Sequence, residues 1–449
     1  MANLERTQLA DRKKSAMMTA LVAVVMLILF AVYADLRWAS EAPAFDKPKQ
    51  TADTSAYVRV AGEEFLSRRF WANTRPPMFP LLLKVYNADF LQVTPFQAAF
   101  SIFSWGMLAL AVAFSLKGYL RPIAFALVLV LSLDRHIAGW DVVMLTESLS
   151  VSLMALFLAA WFWLLKRWSW GKVVLLGMIA FLWTFTRDTN GWILLMVAGL
   201  ILCGVLIFDT RKRYLSIAFI FIVLFILSNI SATRGNRWVF PFQNVLAQRI
   251  LTDQEALAFF TDCGMPVTPE LLRLAGGFAG SEERAFYTDP ALASYRAWLR
   301  PNGKTCYMRW LMSRPLESLR EPWVDFGWLL AFPDVSTFFP QAYEPVLPWF
   351  VERLVYPQIG LLGLWALTTL ASLIAIVTKA WRLNAVWVVL IVLCLLIYPH
   401  VFIVWHGDVP GTHRHALTVS LQFVLSVWMF GLLFLEGILT RFRVRGFVN

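Results

Sequence analysis

Apolar and polar residues alternate along this chain in long blocks, and the apolar blocks have the length that a membrane helix needs. About 20 consecutive apolar residues cross the roughly 30 Å hydrocarbon core of a bilayer as an α-helix. The blocks at 120–134 and 172–186 are short, and those meeting near residues 118 and 188 almost join. The pattern predicts an all-α polytopic membrane protein with about ten transmembrane helices, at 17–34, 95–116, 120–134, 143–165, 172–186, 191–208, 214–231, 353–378, 384–405 and 415–438.

Two long polar segments divide the chain into three predicted parts. Residues 1–231 form a first transmembrane module that includes a polar loop at 35–94 with surface-lying helices. Residues 232–352 are predicted to form a mostly helical extracytoplasmic cap, because helix-start signals alternate there with aromatic stretches. Residues 353–449 supply the last transmembrane helices. The first apolar block lacks a cleavage signature after it, so we interpret it as a retained helix.

Composition supports this interpretation and removes an alternative. The chain is 59% hydrophobic and 15% charged, whereas soluble proteins carry about 25% charged residues. The net charge of +11 would suggest nucleic acid in a soluble protein, but Lys and Arg also collect in cytoplasmic loops. The basic clusters lie in alternate loops, at the N-terminal run, 117–121, 166–172, 211–213, 379–382 and 441–445. This pattern predicts cytoplasmic termini, both long polar segments outside, and no nucleic-acid partner. The compact loops and basic flanks are typical of a bacterial inner-membrane protein.

The scarce titratable residues collect on one predicted face. All five histidines, at 136, 400, 406, 413 and 415, fall at outer helix ends or in outer loops. Histidines, isolated arginines and an intramembrane carboxylate that converge on one face indicate a binding or reaction site there, facing the periplasm or exterior. The alternative is that titratable groups simply gather wherever there is water.

The first outer loop contributes a carboxylate and an arginine. Asp53 precedes an amphipathic stretch, where either Asp53 or Thr54 would suit a helix cap. Capping and catalysis are both open for Asp53 at this point. Arg75 begins the segment RPPMFP, whose prolines exclude a regular helix and hold the arginine in a stiff turn. A held arginine suits a phosphate.

The segment DRHIAGWDVVMLTESL supplies four further candidates, Asp134, His136, Asp141 and Glu147. Glu147 lies inside an otherwise apolar helix, where an ionisable group is costly unless it faces a cavity or a partner. Its predicted partners are Arg135, His136 or Arg187. A buried structural ion pair is the alternative to a functional role.

Two outer hairpins complete the candidate set. The hairpin TFTRDTNG contains Arg187, and the last hairpin contains His406, Asp408, Arg414 and His415. The spacing of these histidines and carboxylates fits no HExxH or Cys/His template, so no cofactor is certain and a divalent metal is the less favoured alternative. An arginine flanked by histidines suits an anionic headgroup better.

The predicted cap carries a cysteine pair, and the chain lacks nucleotide motifs. Cys263 and Cys306 would lie in an oxidising compartment, so we predict that they can form a disulfide; full alkylation of both thiols without reductant would contradict this. No GxxxxGK[ST], strand-associated GxGxxG or GxSxG motif occurs. An activated donor would therefore have to arrive in the lipid.

Three short motifs carry a resemblance to a known family. They are D-x-x-x-Y-x-x-x-A from Asp53 to Ala61, R-P-P-x-x-P from Arg75 to Pro80, and T-E-S-L at the start of the fourth predicted span. Together they resemble the GT-C superfamily of integral-membrane glycosyltransferases, which use polyprenyl-phosphate-linked sugars and include protein mannosyltransferases and aminoarabinose transferases. The resemblance covers about residues 15–200; the second half matches in general plan only.

The resemblance implies an inverting glycosyltransferase with residues 1–231 as its catalytic module and a lipid, glycan or protein as its extracytoplasmic acceptor. Asp53 would be the general base, Glu147 would orient a sugar hydroxyl or an arginine, and the donor phosphate would be bound by Arg75, Arg187 and Arg414. Many relatives carry two adjacent acidic residues in the first loop, whereas Thr54 follows Asp53 here. A scheme with a second carboxylate would need Asp46, Asp134 or Asp141.

Two other functional classes remain as alternatives. One is a transporter or flippase for a lipid-linked or anionic substrate, which would normally show internal repeats and ionisable groups near the bilayer midplane. The other is a surface-polysaccharide ligase or polymerase, which would share the outward site but use a diphosphate-linked glycan.

Overall fold

The structure, a computed structural model, describes residues 2–118, 120–208, 212–279, 283–331, 336–382, 384–409 and 412–444. Every regular element in these ranges is a helix, and one isolated bridge pairs Lys49 with Val143. The first half of the chain forms α1 (Ala2–Glu41), α2 (Ala52–Ala61), α3 (Arg68–Trp71), α4 (Met78–Val85), α5 (Phe90–Ser115), α6 (Leu120–Ser132), α7 (Arg135–Ala138), α8 (Glu147–Lys166), α9 (Trp170–Thr184), α10 (Asp188–Phe208) and α11 (Leu215–Arg234).

The second half begins with short helices and ends with long ones. The short helices are α12 (Val239–Val245), α13 (Gln254–Asp262), α14 (Pro269–Leu272), α15 (Glu283–Thr288), α16 (Ala293–Trp298), α17 (Lys304–Ser313), α18 (Pro315–Arg320), α19 (Phe326–Ala331) and α20 (Trp349–Val355). The last three are α21 (Leu361–Val377), α22 (Ala385–Gly407) and α23 (Thr412–Val444).

Seven segments of the described chain are long and apolar enough to cross a membrane, so the predicted all-helical, multi-pass architecture is confirmed at this level. They are Met17–Ala44, Phe90–Ser115, Glu147–Lys166, Asp188–Ile207, Lys212–Arg234, Ala385–Gly407 and Arg414–Thr440. An eighth results if α6 and Arg135–Val142, bent by 60°, form one broken span. The break occurs where the Asp134 side chain accepts a hydrogen bond from the backbone N–H of His136 and so starts a new helix.

The predicted count of about ten stays a prediction, because two of the ten apolar blocks form helices that are too short to count by length. These are α9 with 15 residues and α21 with 17, which correspond to about 22 and 25 Å of helix. The predicted orientation also stays a prediction, and its basic residues Arg211 and Arg445 lie outside the described residues.

The helical bundle is built around α8, which packs against α5 and α9. In α8, 78% of the apolar window is buried, against 11% of the window in α1, so most of the side chains in the α1 window face outward. Small buried residues of α8, among them Ser152, Ala155 and Ala159, allow neighbouring helices to approach closely. We call one end of the bundle the polar end. Helices α8, α10 and α23 begin there, and α22 ends there.

The chain between α11 and α21 packs in two different ways. From α12 to α17 it forms a helical subdomain, residues 239–313, with a core of its own that includes Phe260, Tyr295 and Trp310. Cys263 and Cys306 form a disulfide within it. By contrast, Phe326 and Leu330 of α19 are buried in the core of the bundle.

Candidate functional site

Asp53 lies in the first turn of α2 with its carboxylate between two arginines. At the helix start, the backbone N–H of Thr51 donates a hydrogen bond to Thr54 Oγ1 at 2.9 Å, so Thr54 and not Asp53 satisfies this group. The carboxylate of Asp53 is therefore available to accept from Arg75 Nη2 at 2.6 Å and from Arg414 Nη2 at 2.8 Å. Burial tends to raise the pKa of Asp53, but the charges of Arg414 and Arg75 outweigh it and lower that pKa below its ordinary value.

Arg414 joins the two carboxylates that the sequence motifs single out. While its Nη2 donates to Asp53, its Nε lies 3.0 Å from Glu147 Oε1 at the start of α8. Arg187, just before α10, approaches the same oxygen with its Nη1 at 3.8 Å. Of the partners predicted for Glu147, Arg187 is therefore present and Arg135 instead pairs with Glu352. A single guanidinium thus connects segments that are far apart in the chain.

From Arg187 the contacts continue to the helical subdomain. Arg187 Nη2 lies 2.8 Å from His415 Nδ1, and His415 Nε2 lies 3.5 Å from Asp408 Oδ2. Asp408 Oδ1 accepts from Asn244 Nδ2 of α12 at 2.9 Å. Because an arginine side chain has no acceptor, His415 Nδ1 must accept and the proton must be on Nε2, directed at Asp408.

Together these residues form a charge-balanced chain, called the arginine chain below. It contains three guanidinium groups and three carboxylates, with one histidine between charged members and one amide at its end. Its members, in order of contact, are Arg75, Asp53, Arg414, Glu147, Arg187, His415, Asp408 and Asn244. They come from α2, the Pro76-Pro77 turn, the polar ends of α8, α10 and α23, the residue after α22, and α12.

The turn that carries Arg75 is fixed to the bundle by its backbone. Arg237 donates from Nη1 to the Asn73 carbonyl at 3.2 Å while its Nε and Nη2 bind Asp188 at 2.8–3.1 Å. A Cβ atom on Gly235 would lie 2.1 Å from the Asn73 oxygen, so only glycine permits this approach. The Arg75 guanidinium also lies over the ring of Tyr57, 5.2 Å from its centroid.

A buried network behind the arginine chain fixes its two carboxylates relative to each other. Lys49 N donates to the Val142 carbonyl and Met144 N to the Lys49 carbonyl, both at 2.9 Å, and Thr54 Oγ1 donates to the Met144 carbonyl at 3.1 Å. The residues just before Asp53 are therefore paired with those just before Glu147. Gln97 Nε2, within α5, donates to the Asp141 carbonyl at 2.9 Å and completes the attachment.

Asp141 belongs to this buried network and not to the arginine chain. Its Oδ2 lies 2.7 Å from Arg37 Nη2, and Ser148 donates to its Oδ1. Arg37 is fully buried, also pairs with Glu41 one turn away in α1, and donates to Ser101 Oγ at 3.0 Å and to the Ser132 carbonyl. The sequence reasoning missed Arg37 and Glu41, although their spacing of four residues at the end of an apolar block is the signal that could have found them.

Asp134, His136 and His406 lie in other surroundings. His136 Nδ1 is 2.7 Å from Asp134 Oδ1, and its ring stacks on Tyr356 at 5.0 Å. His406 Nε2 lies 3.0 Å from the Ser318 carbonyl oxygen, and its Nδ1 lies 3.3 Å from the Tyr307 hydroxyl of the helical subdomain. Since a carbonyl has no proton to give, His406 must donate there. The candidate second carboxylates Asp134 and Asp141 are thus tied up elsewhere, and the carboxylate nearest to Asp53 across Arg414 is Glu147.

The described residues contain no group of three or more His, Cys, Asp or Glu side chains placed to hold a metal ion. No family model matches the chain, and no curated protein matches it. The arginine chain is therefore the observation on which a functional proposal has to stand.

The tautomer of His415 can be tested with two isosteric substitutions. An asparagine keeps an acceptor near the position of Nδ1, whereas a glutamine keeps a donor near Nε2. Arg187 is 7% exposed, and leaving a buried donor unsatisfied costs on the order of 1–3 kcal/mol. We therefore expect His415→Gln to lower the apparent melting temperature in detergent more than His415→Asn does. The reverse order would mean that the contact with Asp408 matters more than the contact with Arg187.

Proposed function

We propose that the protein is a membrane glycosyltransferase that moves a sugar from a polyprenyl-phosphate donor to an extracytoplasmic acceptor, with inversion. The observation that carries the proposal is the position of Arg414, which contacts both Asp53 and Glu147. The carboxylates of two sequence motifs and three arginines suited to a phosphate therefore occupy one place at the end of a membrane bundle. An anionic, lipid-linked donor would reach such a place from the bilayer.

Asp53 would act as the general base. As the acceptor oxygen forms its bond to the anomeric carbon, the bond from that carbon to the phosphate oxygen breaks, and Asp53 takes the proton of the acceptor hydroxyl. Polyprenyl phosphate leaves with the electron pair. A carboxylate of lowered pKa is a weak base, but it is fully ionised at neutral pH, and the hydroxyl becomes acidic only as the new bond forms.

The arginines would serve the leaving group. Negative charge grows on the phosphate as the glycosyl bond breaks, and preorganised donors stabilise charge that develops in a transition state. Arg75 is the most accessible of the three, since 29% of its side chain is exposed, against 17% for Arg414 and 8% for Arg187. We therefore assign first contact with the donor phosphate to Arg75.

The proposal predicts that Arg75 contributes to donor affinity. Arg75→Ala should raise the KM for the lipid-linked donor by on the order of 10-fold, the value of one charge-assisted hydrogen bond, with a smaller effect on kcat. Arg75→Lys should lie between, because it keeps the charge and loses the planar fork. The exposed Arg69 in α3 provides a matched control, and Arg69→Ala should leave both constants unchanged. An unchanged donor KM in Arg75→Ala would count against the phosphate contact.

Two experiments separate this function from the alternatives. A strain that lacks the protein should accumulate a polyprenyl-monophosphate sugar by mass spectrometry of its lipids, whereas loss of a polysaccharide ligase or polymerase would accumulate a diphosphate-linked glycan. Purified protein in detergent should then transfer the accumulated sugar to an extract of glycan acceptor. A transporter moves its substrate between two compartments, and these do not exist in detergent. If the purified protein transfers no sugar in detergent, the result would favour a transporter over a glycosyltransferase.

A further inference from the structure

The described residues from α18 to α20 lie beside the membrane-length helices and not above them. Trp323, between α18 and α19, stacks on Tyr398 with ring centroids 4.9 Å apart and contacts Trp365 at 5.4 Å. The Tyr398 hydroxyl also donates to the Leu319 carbonyl. Tyr398 is about two and a half turns before the end of α22 at Gly407, which places this contact about 13 Å below the polar end.

A second contact on a different helix gives the same depth. Ser420 Oγ donates to the Leu330 carbonyl of α19 at 2.6 Å. Ser420 is a little more than two turns into α23, so this contact lies about 12 Å below the polar end. The side of α19 that carries Phe326 and Leu330 is fully buried against the bundle. The contacts with α22 and with α23 therefore both place this part of the chain well below the polar end, alongside two membrane-length helices.

The opposite side of the same chain is exposed and apolar. Leu316 is 77% exposed, Val324 84% and Leu354 70%. The outward face of the neighbouring α21 is also apolar, since its Leu362 and Leu370 are 54% and 56% exposed. Because α21 has only 17 residues, it falls several ångströms short of a hydrocarbon core of about 30 Å.

Basic and aromatic residues of the kind that bilayer interfaces favour lie on this surface, beside the exposed Glu317 of α18. Arg320 in α18 is exposed next to the apolar side chains, and the Arg353 guanidinium lies over the Trp349 ring at 5.2 Å. Long basic side chains can direct their charge to the headgroups while their stems stay in apolar surroundings. Tryptophan and tyrosine concentrate at the membrane interface.

We propose that the face formed by Leu316, Leu319, Val324, Trp349 and Leu354, called the ledge below, is inserted in the bilayer and covered by lipid. The helical subdomain is then attached to the membrane through the ledge, in addition to its contacts with α22. This inference concerns the surface of the protein and stands independently of the transfer reaction.

Spin labels test the position of the ledge directly. Cys203 and Cys394 are the free cysteines of the described chain, so a Cys203→Ser, Cys394→Ala background that keeps the disulfide accepts one label at a time. Labels would be placed at Leu316→Cys, Val324→Cys and Leu354→Cys. Leu227→Cys on the membrane-length α11 provides a lipid-facing control, and Leu272→Cys on α14 of the helical subdomain provides an aqueous one. Both native leucines are exposed, at 47% and 40%.

Power-saturation measurements in vesicles of phosphatidylethanolamine and phosphatidylglycerol give the result. The three ledge labels should match the control at residue 227, with collision with oxygen several-fold above collision with a water-soluble nickel chelate. The label at 272 should show the opposite ratio. Ledge labels that favour the nickel chelate would place the ledge in water and overturn the proposal. Low accessibility to both reagents at the ledge would mean that protein covers it, which also overturns the proposal.

Discussion

Replacement of Asp53 by asparagine is expected to lower kcat for sugar transfer by about 10³-fold, the middle of the range for loss of a general base. The substitution preserves shape and keeps an acceptor for one arginine, so insertion and folding should persist. The measurement is single-turnover transfer from the lipid-linked donor by purified protein. If the variant turned over at the wild-type rate, Asp53 would not be the base and the assignment of the site would fail.

A matched control for this substitution exists at the start of α5. Asp89 also lies near a helix N-terminus in the first polar loop, where its Oδ1 accepts from Leu91 N at 3.0 Å. Asparagine caps helices about as well as aspartate. Asp89→Asn should therefore retain full activity and stability, which distinguishes loss of the base at residue 53 from a general effect of removing a negative charge from this loop.

The pH dependence of stability gives an independent measure of the same carboxylate. Because the folded protein lowers the pKa of Asp53, its pairing stabilises the folded state above the unfolded value, which is about 3.9 for an aspartate. This contribution is lost as the pH falls through the lower pKa of the folded state. Wild type should therefore exceed Asp53→Asn in apparent melting temperature at neutral pH, and the difference should shrink below about pH 4. A difference that grew on acidification would contradict the lowered pKa.

Arg37→Met is expected to prevent stable folding. The substitution leaves Glu41 and Asp141 buried without their shared cation, and removing one partner of a buried ion pair costs about 3–5 kcal/mol. Glu41 is fully buried and Asp141 nearly so. Fluorescence-detected gel filtration of detergent extracts should show little monodisperse protein. The exposed Arg59 of α2 is the control, since Arg59→Met removes the same charge at the surface.

The double variant Arg37→Met, Glu41→Gln identifies the cause. If the defect comes from an uncompensated carboxylate, neutralising Glu41 should recover part of the folded protein, because replacing a whole buried pair is far less costly than breaking it. If the defect came only from the lost volume and hydrogen bonds of Arg37, the double variant would be no better than the single one.

The fold was predictable from sequence to the level of an all-helical membrane bundle, because apolar blocks of membrane length have few other structures available. Each predicted block overlaps a described helix, although the block 353–378 is divided, since α20 ends at Val355 and α21 begins at Leu361. Which helices cross the whole bilayer was less predictable, because the depth of α21 depends on packing against α19 and α22. That packing comes from side chains distant in sequence, such as Trp323 and Tyr398.

The candidate site was partly predictable for a similar reason. Membrane sidedness was enough to place Asp53, Glu147 and Arg414 on one face, where the structure brings them together. The same reasoning grouped Asp141 with them as a supporting residue, whereas the structure places its carboxylate against Arg37 and Ser148. Asp141 lies only two turns of chain from Glu147, but the residues between them leave helical geometry and turn its side chain towards Arg37. Membrane sidedness predicts where a residue lies along the membrane normal, but it does not predict which side chain the residue contacts.

The arginine chain has a consequence for selectivity. Each guanidinium already has a carboxylate neighbour, so an anion that binds there must compete with groups tethered to the same chain, which act at high effective concentration. Inorganic phosphate, or a phospholipid that offers charge alone, gains little from such an exchange. A ligand has to bring further contacts before the exchange becomes favourable, and under the proposed function the donor would make them through its sugar or its isoprenoid. The carboxylates would then weaken the binding of anionic phospholipids that lack these further contacts.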